Sequence, residues 1–137
     1  MKKLILLTFA IIIGCSQSNS LKTKIIGTYD LIMDGKPSKY LTLTLKENGT
    51  GYFKNTEFIK YAGEEYCTFD YDIREKQYRI KNGSYQFVNL MNRSGNAGLC
   101  QMIQGVFKIF DKSNNKIDLK WVLTNEKTEQ SMYFRKF

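Results

Sequence analysis

Acid–base chemistry in this chain would have to come from carboxylates, lysines or tyrosines, because its 137 residues include no histidine. Histidine is the commonest general base and metal ligand, so its absence removes the simplest routes to hydrolysis and to zinc binding. Asp70 and Asp72 stand two apart, a separation near that of paired glycosidase carboxylates. The alternation around them places both on a solvent face, where acidic side chains are routine, and Glu64-Glu65 reads as an ordinary charged loop. The chain has no nucleophile elbow, phosphate-cradling glycine loop or metal-ligand spacing. No catalytic residue, metal or cofactor is expected.

The remaining reactive groups are the thiols of Cys15, Cys67 and Cys100. Cys15 ends a segment with the composition of an export signal: Lys2 and Lys3 precede an apolar run from Leu4 to Ile13, broken only by Thr8. The run is far short of the roughly 20 apolar residues that span a bilayer as a helix. Ile12-Ile13-Gly14-Cys15 resembles the lipobox of bacterial lipoproteins. The resemblance implies cleavage before Cys15 and acylation of its thiol and amine, palmitate being one such chain. Two or three acyl chains, at about 0.8 kcal/mol per buried CH₂, make a stable anchor where one is marginal.

Cleavage there removes Lys2 and Lys3, leaving 19 basic side chains of the original 21 against 13 acidic, a net charge of +6 in place of +8. The positive charges are scattered, which describes a solvated basic surface. Nucleic acid is not an expected partner of an exported chain; the lipid bilayer is. The implied location is the bacterial cell envelope, and Ser16 after the cysteine points to the outer membrane. Cys67 and Cys100 are then the two thiols left in an oxidising compartment and are expected to form a disulfide. Buried free thiols, or a two-thiol metal site completed by carboxylates, are the alternatives.

Three segments follow: a signal at 1–14, a lipidated cysteine and polar tether at 15–24, and a folded domain at 25–137. The nine residues Ser16 to Lys24 would reach about 30 Å when extended. The domain alternates in the manner of half-buried strands. Leu41, Leu43 and Leu45 share one face; Cys67, Phe69, Tyr71 and Ile73 share another; Ile117, Leu119, Trp121 and Leu123 a third. Tyr78 and Ile80 extend the pattern, Met102 to Phe110 and Gln130 to Phe137 read as further strands, and Asn48-Gly49 and Asn82-Gly83 signal hairpins. Beyond the signal no stretch carries a helical stripe. Eight to ten short strands joined by tight turns argue for an all-β antiparallel barrel or sandwich, and an up-and-down barrel is the more economical of the two because closure removes the exposed edges.

Several of these segments resemble bacterial lipocalin-like lipoproteins. Gly27-Thr28-Tyr29 opens the first strand as Gly-X-Trp does in lipocalins, with Tyr replacing Trp. Leu41 to Phe53 is similar to their strand, Asn-Gly-Thr turn and strand. Phe69 to Ile73 with Gln77 to Ile80, Ile117 to Trp121 and Met132 to Phe137 are similar to later strands. The resemblance implies a monomeric barrel holding a small hydrophobic ligand, with Phe69, Tyr71, Tyr85, Phe87 and Trp121 as candidate lining. It also implies that the first-strand aromatic, Tyr29, is covered by a basic side chain from the end of the barrel, Arg135. Open alternatives are an Arg135 turned to solvent, and aromatics (Tyr61, Tyr66, Tyr85 and Phe87 among them) that fill the core. A filled barrel would instead suit an interaction or inhibitor lipoprotein using its loops, such as Asn92 to Gly98, and its basic surface.

Overall fold

A computed structural model of the chain describes residues 21–55, 67–93 and 104–137, with the side chains of 39, 40 and 55 left aside. The expectations for the signal, Cys15, Tyr61, Glu64, Glu65, Tyr66, Met102 and Cys100, and for the loop beyond Arg93, lie outside the described residues.

Eight antiparallel strands run in chain order around a closed barrel. They are β1 (Gly27–Met33), β2 (Lys36–Leu45), β3 (Thr50–Asn55), β4 (Cys67–Gln77), β5 (Ser84–Asn92), β6 (Gly105–Asp111), β7 (Ile117–Trp121) and β8 (Met132–Lys136). Closure rests on the pairing of the first strand with the last, Asp30 opposite Arg135 through to Met33 opposite Met132. The period-2 pattern dictates what lies inside. Leu43 faces Phe53, Tyr71 faces Leu90, Val88 faces Phe107, and Leu119 faces Phe134, all of them buried.

The turns follow their backbone requirements rather than the Asn-Gly motif alone. Asp34-Gly35, between β1 and β2, is the two-residue turn with positive φ at both central positions, at 49° and 79°. At Asn48-Gly49 only the glycine has positive φ; Asn48 instead accepts from Thr50 N at 3.1 Å and Thr50 Oγ1 at 2.7 Å, holding the turn through its side chain. Gly51 is needed for space. A Cβ there would stand 2.5 Å from the Thr44 carbonyl oxygen, where nothing can yield without moving the β2–β3 pair.

Three expectations are corrected. Tyr78 and Ile80 belong to the turn after β4, not to a strand, and Ile80 is exposed. Leu123 is half-exposed because the chain leaves β7 after Trp121. Residues 21–25, read in part as tether, form a helical turn whose Leu21 and Ile25 are buried in the core cluster, so the packed structure includes residues on the tether side of the expected boundary. Tyr29, the largest fully buried side chain of β1, donates its hydroxyl hydrogen to the Ile25 carbonyl at 2.6 Å. That bond ties the turn to the barrel and satisfies the phenol that burial would otherwise orphan. Burial also pushes the Tyr29 pKa well above its ordinary value.

Candidate functional site

The five aromatics expected to line a ligand cavity do not converge. Phe69, Tyr71 and Trp121 point into the barrel; Tyr85 and Phe87 lie on its outer wall. The β4–β5 register decides this, because Tyr71 opposite Leu90 and Ile73 opposite Val88 commit the even-numbered residues of β5 to the interior. Both faces of β5 are apolar over this stretch, so alternation alone left its phase ambiguous.

Inside, the rings meet one another. Phe107 and Trp121 lie 4.7 Å apart between centroids, Trp121 and Phe134 5.4 Å, Phe107 and Phe134 5.9 Å, and Phe53 meets Phe134 edge-on at 6.0 Å. These separations are those of packed aromatic pairs. Phe69 is fully buried in the same cluster. The Tyr71 hydroxyl donates to the Lys46 carbonyl oxygen at the barrel end where the 21–25 turn sits. Three clefts of about 480–520 Å³ bounded by described residues open on the surface of the barrel or at its rim.

Outside, β6 carries a second cluster. The turn 78–83 and the connection 122–131 leave opposite ends of the up-and-down barrel, yet they meet over β6, where the Arg79 backbone N–H donates to Glu126 Oε2 at 3.1 Å. Tyr85 is buried despite facing outward because Tyr78 covers it, with centroids 4.9 Å apart. Phe87 packs against Tyr85 at 6.0 Å. Lys108 donates to the Tyr78 hydroxyl, and its ammonium lies 4.8 Å from the centre of the Tyr78 ring and 5.3 Å from that of Tyr85. Lys81 lies over the Tyr78 ring as well, at 4.2 Å.

Lys108 is the direct cross-strand partner of Lys120, an arrangement in which like charges repel. Lys120 donates to Gln130 Oε1 at 2.8 Å. Among the described residues neither lysine has a carboxylate within ion-pair distance. The connection opposite them is strained: Asn125 and Glu126 both have positive φ, at 59° and 61°. Such conformations cost about 1 kcal/mol or more for a residue with a side chain and gather at functional sites. No contiguous motif announces this cluster, which joins 78–81, 108, 120 and 125–130. Its sequence trace is the outward parity of Lys108, Phe110 and Lys120, which alternation does expose.

Arg135 does not stack on Tyr29. Asp30 is the cross-strand partner of Arg135, so Tyr29 and Arg135 project from opposite faces of the sheet. Arg135 instead forks onto Asp118, with Nε at 2.7 Å from Oδ1 and an outer nitrogen at 2.9 Å from Oδ2, and lies 5.1 Å from the Tyr133 ring centre. The basic side chain at the start of β1 is Lys136, whose Nζ donates to the carbonyls of Lys24 and of Ile26, the latter at 2.6 Å. Gly27 makes room for it, since a Cβ there would meet Lys136 Cδ at 3.3 Å. Burial holds the Lys136 pKa below its usual range.

Asp70 and Asp72 lie on the outer face as alternation implies, paired with Arg93 at 3.3 Å and with Arg74 at 2.7 Å. Among the described residues no three His, Cys, Asp or Glu side chains gather as a metal site. Cys67 is buried on β4.

No protein-family model, curated protein or solved structure matches this chain.

Proposed function

We propose that this chain is a lipoprotein of the bacterial cell envelope, most simply of the outer membrane, that acts through the outer wall of a filled, lipocalin-like barrel. The observation that carries this reading is the ring cluster of Phe53, Phe107, Trp121 and Phe134, which occupies the interior where a hydrophobic cargo would sit. It favours the interaction reading over the carrier reading. The anchor is acylated Cys15, and the five residues from Ser16 to Ser20, which separate it from the 21–25 turn, can reach at most about 17 Å. The barrel would therefore sit against its membrane, with the end bearing the 21–25 turn nearest the lipid. The lipid is the proposed means of attachment because Ile12-Ile13-Gly14-Cys15 resembles a lipobox. Cys67 is assigned to a bridge with Cys100, worth about 3–4 kcal/mol on the chain-entropy account. The protein is read as a binding protein and not as an enzyme.

Two measurements test this reading. Wild type should enter the detergent phase on phase separation, while Cys15→Ala should be unprocessed and carry no acyl chain; an unchanged acyl mass removes the anchor. Titration of the purified protein with a fluorescent long-chain fatty acid should give no saturable signal. Saturable, stoichiometric binding that quenches Trp121 would restore the cargo reading.

A further inference from the structure

We infer that the cleft over β6 is a binding site for a phosphorylated saccharide, in the broad sense that includes cyclitols such as inositol. The inference rests on the outer-wall reading above and gives that wall a ligand class. The cleft has a volume of about 520 Å³ and is walled by Tyr78, Ile80, Lys81, Lys108, Glu126 and Lys127. That volume is in the range of small-molecule sites.

Charge is the first argument. Lys81, Lys108 and Lys127 line the cleft against one carboxylate, Glu126, with Lys120 directly beside Lys108 across the β6–β7 pair. Two of these ammonium groups, Lys81 and Lys108, converge on the single Tyr78 ring, at 4.2 and 4.8 Å from its centre. The ring attracts each ammonium, but the two repel one another, and a doubly charged anion placed between them turns that repulsion into attraction. Lysine ammoniums bind phosphate as point charges, and a phosphate monoester carries close to two negative charges at neutral pH, where a carboxylate carries one.

The second argument is an acceptor. Glu126 Oε2 is engaged by the Arg79 backbone, whereas its Oε1 is buried with no hydrogen-bond partner among the described residues. An orphaned carboxylate oxygen is destabilising in a folded chain, and it is held there by a backbone with two consecutive positive φ values. It can accept from a ligand hydroxyl but repels phosphate. The site thus asks for one molecule bearing both groups: an anion for the lysines and hydroxyls for Glu126. Tyr78 and Ile80 supply an apolar wall for the carbon skeleton between them. A free sugar phosphate and the phosphosugar headgroup of a lipid share this chemistry.

The test uses the full chain in detergent. By titration calorimetry, inositol monophosphate should bind more tightly than inositol or inorganic phosphate, and added salt should weaken it. Lys81→Met and Lys108→Met should each weaken binding about tenfold, the loss of one charge-assisted contact. Lys81 is exposed, so its variant keeps the native melting temperature and guards against a folding artefact. Glu126→Gln should lower the preference for the ester over inorganic phosphate. Mixed micelles carrying phosphatidylinositol phosphate form the second arm: tighter binding there assigns the ligand to a lipid headgroup, and equal or weaker binding to the free sugar phosphate. Absence of binding in both arms, or binding that ignores both lysine variants, overturns the inference. Equal affinity for inorganic phosphate overturns the saccharide assignment. None of these results depends on the fatty-acid titration, so the two readings fail separately.

Discussion

Phe134→Ala is expected to destabilise the barrel by about 3–5 kcal/mol, the largest effect of any single side chain considered. Phe134 is fully buried at the middle of β8, opposite Leu31 on one side and Leu119 on the other, so it packs across the seam where the barrel closes. Its ring also meets those of Phe53, Phe107 and Trp121. Truncation loses the transfer free energy of the ring and leaves a hole that a closed sheet is poorly able to collapse into. Urea unfolding followed by Trp121 fluorescence reads both effects, since the indole lies against the deleted ring. Phe134→Leu should lose markedly less. A cost under about 1 kcal/mol for the alanine variant would mean that the interior is loosely packed, and would reopen the cargo reading.

Asp118→Ala is expected to cost roughly 2–3 kcal/mol, somewhat below the range for breaking a buried ion pair because Arg135 keeps partial access to water. Asp118 has no exposed surface although it points outward from β7; Arg135 on β8 and Lys112 at the β6–β7 turn cover it, with Lys112 Nζ 2.8 Å from Oδ2. Burial opposes ionisation of Asp118, and the hydrogen bonds and charges of Arg135 and Lys112 outweigh it, holding the carboxyl below its usual range. A carboxyl with a folded-state pKa below its unfolded value contributes stability that is complete above the unfolded value near 4. The contribution is lost as pH falls through the folded-state value. Wild type should therefore lose stability below about pH 4 more steeply than Asp118→Asn, measured as melting temperature against pH. Parallel curves would show that the pair contributes nothing net. Arg135→Ala should cost about as much as Asp118→Ala, and the double variant less than the sum, because the second change removes a charge the first has stranded.

Much of the architecture is legible in residue order. Leu43-Thr44-Leu45 and Ile117-Asp118-Leu119 each bury the apolar residues that alternation assigns inward. A period of two in side-chain direction is a property of the strand itself, so it needs no knowledge of neighbours. An expected eight to ten strands follow from similar local reasoning, and the preference for a closed barrel from the protection closure gives to edges; the structure closes with eight, the first paired with the last. Turn position is legible too, at Asn48-Gly49 and Asn82-Gly83, although only the glycine of each pair takes a positive φ.

Local pattern runs out where both faces of a strand are apolar or where distant loops supply the cover. In β5, Tyr85 and Phe87 compete with Val88 and Leu90 for the interior, and only hydrogen-bonded register with β4 places the first pair outside. Tyr85 is then buried by a turn from one end of the barrel that meets a connection from the other, an encounter no sequence window contains. Asp118 shows the same limit: alternation correctly points it outward, but burial comes from Arg135 and Lys112 on separate segments. Side-chain direction is set within a strand; burial, ion pairing and the gathering of lysines over β6 depend on which segments tertiary structure brings alongside.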